Sequence, residues 1–359
     1  MNKAKTAGTA NSGQYKKAKT WSLLLFAMFL IIATILVIIY FPEIKKELAL
    51  LKKVKPFWLF TALLGQLLTY VFTAIVYLAL LKVYKLPQLP HITALFKAAI
   101  ISLFFNQTLP SAGISGNTYF FQFLARYRIS KNKIISLILG ELLIFYAAME
   151  TIIVTLLIIC LFTYRVQHAF TSTLTAGMIV YLVFACMVVL AGKNNMLHRL
   201  YAKAMKLRLI RKISNCLAGK MPVELLPAKE IQLREIVKHH KPDLAKAFFF
   251  QFLVVAADGF TLYVIFLGLG LQVSPFIILI AFICTKIISI LPFLPGALVL
   301  YESSLSFFLS STGIPVGAAI IATLVYRLLS FWLPMPVGAF LYRKWIISHP
   351  PADHDYTGY

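Results

Sequence analysis

From residue 56 to residue 81 the chain carries no charged side chain, and the same holds for 21–41 and 169–192. Residues 247–285 contain a single one, Asp258. A helix crosses the hydrocarbon core of a bilayer with about 20 consecutive apolar residues, so each run is long enough to span. None shows the period-two alternation of a membrane barrel. Composition points the same way: the chain is 60% hydrophobic and 13% charged, with a mean hydropathy of +0.83, whereas soluble domains carry about a quarter charged residues. The expected fold is an all-α polytopic membrane protein. The 21–41 run follows Lys16, Lys17 and Lys19 but is as long as a full span and has no small-residue cleavage site after it, so it reads as a retained first helix.

The formal net charge is +23. Its lysines and arginines gather beside the apolar runs, which points to an anionic membrane surface as partner and away from nucleic acid. Part of that charge sets topology alone. The segment 193–246 holds 13 Lys and Arg residues and is expected in the cytoplasm. Within it Leu197, Leu200, Ala204, Leu207 and Ile210 alternate at helical spacing with Arg199, Lys203, Lys206 and Arg211, a basic amphipathic helix suited to the membrane surface or to packing on its own bundle. The resulting division is a basic cytoplasmic N-terminus (1–20), a first membrane half (21–192), the basic segment (193–246), a second membrane half (247–345) and a cytoplasmic tail (346–359), with both termini inside. The lysine-rich stretch 42–56 falls outside in this topology, against the charge rule, and reads as an interfacial helix.

Two hydrophobic stretches are broken alike. The first contains Asn106, Leu109-Pro110, Gly113, Gly116 and Asn117; the second contains Leu291-Pro292, Pro295 and Gly296. Proline removes a backbone donor and glycine ends helices, so both should unwind there. Unwound backbone at membrane depth must line a cavity or be buried in protein, and re-entrant hairpins fit both stretches. They lie about 180 residues apart in units of opposite expected orientation, an arrangement that in transporters marks the binding site. The expected fold is therefore one of inverted repeats with two re-entrant helical hairpins.

Ionisable groups inside spans are costly and usually functional. Here they are Lys97, Glu141, Glu150, Asp258, Lys286, Glu302 and Arg327. In one reading Arg327 and Lys286 meet a lipid phosphate while Glu302 holds their geometry, since the planar arginine fork suits phosphate. In the other Arg327 is half of a structural ion pair with Glu302 or Glu141. Asp258 reads as satisfying a local backbone gap, and Glu150 as facing a neighbouring helix. Cys160, Cys186, Cys216 and Cys284 form neither a disulfide framework nor a zinc pattern, so no cofactor or metal is expected. There is no nucleophile constellation and no glycine-rich nucleotide loop. Neither a built-in ATPase nor catalysis is expected, although a membrane-embedded transferase using activated lipid stays open.

The strings Asn106-x3-Pro110-x2-Gly113-x2-Gly116, Ile129-Ser130, Leu291-Pro292-x2-Pro295-Gly296-x5-Glu302, Gly313-Ile314, Tyr326-Arg327 and Trp332-Leu333-Pro334 resemble the lysylphosphatidylglycerol synthase transmembrane family, over roughly residues 21–344. The resemblance implies inverted re-entrant repeats in the bacterial inner membrane and a flippase-like role. In the best-known members the cargo is an aminoacylated phospholipid; stand-alone members are associated with glycolipid, hopanoid or polyprenyl-linked pathways. A soluble aminoacyl-transferase domain does not follow Trp345, so synthase activity is not expected. Glu141 is followed by Leu142 where a Glu-Arg pairing would be expected, which weakens the first-half site. The leading expectation is translocation of a phospholipid or lipid-linked glycan between leaflets. The alternative is an accessory membrane subunit of a lipid-modifying glycosyl- or aminoacyl-transferase. A homodimer stays open.

Overall fold

The structure, a computed structural model, describes residues 55–83, 89–108, 114–127, 129–162, 168–192, 241–290 and 297–348. All belong to one compact unit. The expected first span 21–41, the stretch 42–54, the basic segment up to residue 240 and the tail from 349 lie outside the described residues. So do Pro110, Gly113, Pro292, Pro295 and Gly296 at the centres of the two breaks.

The described residues form helices α1 (Pro56–Val83), α2 (Ile92–Thr108), α3 (Ile114–Ala125), α4 (Lys131–Phe162) and α5 (His168–Gly192) in the first half. The second half contains α6 (Lys241–Gly268), α7 (Pro275–Ile288), α8 (Leu300–Ser311), α9 (Val316–Arg327), a π-helical turn (Leu328–Trp332) and α10 (Pro334–Ser348). Five helices are long and apolar enough to cross a membrane: α1, α4, α5, α6 and the continuous run Val316–Ser348. The chain is thus an all-α polytopic membrane protein. Helix α6 begins at Lys241, ahead of the expected boundary at 247. Its first turn holds Pro242, whose missing N–H has no partner to lose there, and Asp243, which favours the positive end of the helix dipole.

Helix starts recur at a nearly constant offset. Helices start at 56, 92, 114 and 131, and again at 241, 275, 300 and 316, so the offset stays between 183 and 186 residues. The counterpart helices α1 and α6 pack against each other antiparallel. Lys55 N–H donates to the Gly268 carbonyl at 3.4 Å, Thr69 meets Asp258, and Phe72 lies against Phe250 with ring centroids 5.8 Å apart. Close approach is possible because position 65 is glycine: a Cβ there would lie 2.7 Å from Thr261 Oγ1. Small residues at such seams let membrane helices gain dispersion contacts where no hydrophobic force drives them together.

The first break folds α2 back onto α3. Gly116 N–H donates to Asn106 Oδ1 at 2.7 Å and Ser115 Oγ to the Phe105 carbonyl at 2.9 Å. In the second half α8 and α9 run antiparallel, with Ser306 Oγ donating to Thr323 Oγ1 at 3.2 Å one turn from the Glu302–Arg327 pair. The π-turn after Arg327 has a sequence cause. Pro334 offers no N–H to the Ser330 carbonyl and its ring crowds that oxygen, so Leu333 N–H reaches back five residues to Leu328 at 2.8 Å. The freed Ser330 carbonyl is then claimed from another helix: Gln107 Nε2 donates to it at 3.1 Å. Cross-helix satisfaction of this kind is what makes proline tolerable at membrane depth.

Candidate substrate-binding cavity

Within the apolar sequence of α1 stand the polar residues Gln66, Thr69, Tyr70 and Thr73. Their spacing of i, i+3, i+4 and i+7 places them on one helical face. They line a cavity of about 260 Å³ together with α2, α6, α7, the start of α8 and the Arg327 turn. The two halves furnish it differently. From the first half come amides and hydroxyls, including Asn106 and Gln107; from the second come the charges Asp258, Lys286 and Arg327 with Tyr301 and Tyr326.

The charges are paired. Arg327 Nε donates to Glu302 Oε1 at 2.6 Å, with the arginine side chain only 7% exposed. The guanidinium also sits 4.3 Å from the Phe331 ring centroid and 4.7 Å from that of Tyr301, the cation–π geometry that helps hold an arginine away from water. Tyr301 stacks on Tyr326, centroids 6.1 Å apart. Lys286 Nζ donates to Asp258 Oδ2 at 3.2 Å and is itself 35% exposed, so it stands at the margin while Arg327 lies deep. Asp258 Oδ1 faces Gln66 Nε2 and Thr69 Oγ1, each at 3.4 Å. One carboxylate therefore ties α1, α6 and α7 together. An unpaired arginine at the centre of a span costs about 2.5–3.5 kcal/mol on insertion scales, and each cation here has its counter-charge. The cavity remains polar beyond those pairs: Gln66 Oε1, Ser102 Oγ, Gln107 Oε1 and Glu302 Oε2 are buried with no hydrogen-bond partner. Buried polar atoms without partners are costly, and Gln66, Ser102 and Gln107 line space large enough for water or a polar group.

Several sequence expectations meet in this place. Arg327, Lys286, Tyr326 and Asn106 line the cavity, and Glu302 pairs with Arg327, settling its partner between Glu302 and Glu141. Asn106 and Gly116 act mainly on each other, closing the α2–α3 hairpin. Asn117 is half-buried on α3 and Glu141 half-buried on α4, and neither lines the cavity. Lys97 is exposed. Asp258 serves no local backbone gap: it is the partner of Lys286, a role missed because the two stand 28 residues apart on different helices. The uncharged α1 stripe was also missed, although its spacing was a readable signal.

Among the described residues, five helices are long and apolar enough to span a membrane, and three of them, α1, α6 and the run Val316–Ser348, help line the polar cavity; together they define a multi-pass membrane protein. The chain belongs to the family described as the lysylphosphatidylglycerol synthase TM region, whose model matches residues 24–338. It is 32% identical over 88 residues to a UPF0104 membrane protein of Methanothermobacter thermautotrophicus, covering 24% of this chain and 26% of that one. A UPF0104 membrane protein of Pyrococcus horikoshii is 27% identical over 121 residues, 34% of this chain and 36% of its own length. The matched part thus spans about a quarter to a third of these relatives.

Proposed function

We propose that the chain is a lipid translocase without its own ATPase, moving a phospholipid or lipid-linked glycan between the leaflets of a bacterial inner membrane. The observation that carries this is the cavity, whose charged residues Asp258, Lys286 and Arg327 and unpartnered amide oxygens lie among apolar helices. A headgroup phosphate entering there takes hydrogen bonds from Arg327 and Lys286. Glu302 and Asp258 hold the two cations until it arrives and receive them back when it leaves, so neither cation is stranded at any stage. The first-half amides and hydroxyls accept or donate to uncharged headgroup atoms. Antiparallel counterpart helices and the nearly constant offset of helix starts support a transporter with inverted repeats, the two hairpins being re-entrant.

Purified protein in liposomes containing fluorescent phosphatidylethanolamine or phosphatidylglycerol is expected to expose both leaflets to a membrane-impermeant quencher. Quenching confined to the outer leaflet with each lipid and with a lipid-linked glycan would overturn the reading. The proposed orientation has a separate test. With both termini and 193–246 in the cytoplasm, an impermeant maleimide applied to intact cells should leave Cys216 unlabelled and label it after permeabilisation.

A further inference from the structure

Beside the polar cavity lies a second, smaller one of about 70 Å³, and the two share Gln66 and Tyr70. The rest of its lining is hydrocarbon: Leu63 and Leu67 on α1, Ile100 on α2, Leu329 and Leu333 around the π-turn, and Pro334 and Val337 at the start of α10. Its outer edge is open, with Leu67, Leu333 and Val337 each 41–43% exposed. Leu67 stands near the middle of the 28-residue helix α1, hence near mid-depth in a bilayer. The same proline that creates the π-turn forms part of this cleft.

Size decides what the two spaces can hold together. Pockets that enclose a whole drug-sized ligand run to about 300–1,000 Å³, so 260 Å³ takes a headgroup and excludes its chains. The chains must leave through a wall. Toward α1 and the π-turn that wall is apolar, adjoins the polar space at the shared residues Gln66 and Tyr70, and is exposed on its far side. We infer that the cleft between α1 and the π-turn is a lateral portal, in which an acyl or isoprenoid chain trails into the bilayer while its headgroup occupies the polar cavity. This rests on the translocase reading and adds to it the route and the class of cargo, a lipid with its chain outside the protein. Gln66 is the threshold. Its amide Nε2 faces Asp258 and Tyr70, while the cleft side of the same residue meets only hydrocarbon.

The portal is tested with phosphatidylglycerol and phosphatidylethanolamine carrying a diazirine midway along one acyl chain, photolysed in liposomes with the full chain and mapped by mass spectrometry. Label at Leu67, Leu333 or Val337 should exceed that at Leu182, a 55% exposed residue on α5, by about ten-fold, the preference of a site favoured by one decade in affinity over annular lipid. Val337→Trp and, separately, Leu67→Trp fill the cleft from its exposed edge and should lower both the label and the transport rate, while Leu182→Trp leaves both unchanged. Labelling no greater than at Leu182, or transport untouched by a well-folded Trp variant, overturns the portal even where wild-type transport is intact. Capture of Val337→Cys by a second copy or by residues 21–41 of the same chain, in place of lipid, also overturns it. Preferential label in the cleft with no transport of any lipid leaves the portal as a lipid site and overturns the translocase reading alone.

Discussion

Arg327→Gln is expected to destabilise the protein by about 3–5 kcal/mol, the scale for removing one partner of a buried ion pair, and to abolish most transport. Glu302 would be left 23% exposed with its counter-charge gone, and the guanidinium contacts with Phe331 and Tyr301 would be lost as well. The thermal midpoint in detergent and the transport rate in liposomes should therefore fall together. The double variant Arg327→Gln with Glu302→Gln separates two roles. Neutralising both partners removes the stranded charge, so the midpoint should recover much of its loss. Transport should not recover, because the phosphate-binding fork is still absent. Recovery of transport together with stability would mean that the pair is structural and that the headgroup is held elsewhere.

Gly116→Ala should cost about 1–3 kcal/mol, the range for overfilling a packed site. A methyl group there would lie 2.6 Å from Asn106 Cγ and press on the backbone carbonyl of Ser102. The carbonyl belongs to a helix and yields little, and moving Asn106 breaks the 2.7 Å bond that closes the hairpin. Because Ser102, Asn106 and Gln107 line the cavity, a displaced hairpin should also reduce transport. Gly140→Ala provides the contrast: its Cβ would meet only Leu80 Cδ2, at 4.0 Å. That change should be neutral or stabilising by up to about 1 kcal/mol through helix propensity. Thermal midpoints of the two variants, measured side by side, check both statements.

The spans were legible in the sequence because charge is nearly forbidden in hydrocarbon, and the runs 56–81, 169–192 and 247–268 read directly as α1, α5 and most of α6. The interruption between α2 and α3 was legible because Leu109-Pro110 and the glycines at 113 and 116 punctuate the apolar run there. The partner of Arg327 was narrowed to Glu302 or Glu141 because so few charges were available, and the structure gives Glu302. What stayed hidden depends on geometry between distant residues. Nothing local shows that Asp258 will face Lys286, or that the carbonyl freed by Pro334 will be taken up by Gln107 some 223 positions away in the chain. The spans begin earlier than hydropathy suggests, at Lys241 and Lys131, because charged residues are welcome in the first turn outside the apolar core. There the Ser130 carbonyl accepts the Ile134 N–H at 3.1 Å.

The antiparallel pairing of α1 with α6 also imposes an order of events during synthesis. Helix α1 leaves the ribosome about 185 residues before its partner begins, which at 5–20 residues per second is a delay of about 10–40 s. Through that interval the stripe Gln66, Thr69, Tyr70 and Thr73 has no Asp258 to meet, and the groove beside Gly65 stands empty. The nascent first half must be held by lipid, by its own α2–α4, or by the insertion machinery until the second half arrives. Biogenesis of this protein should therefore be most vulnerable between the emergence of the two halves, and substitutions on α6 such as Asp258→Asn should raise degradation of newly made chains more than they lower the stability of finished ones.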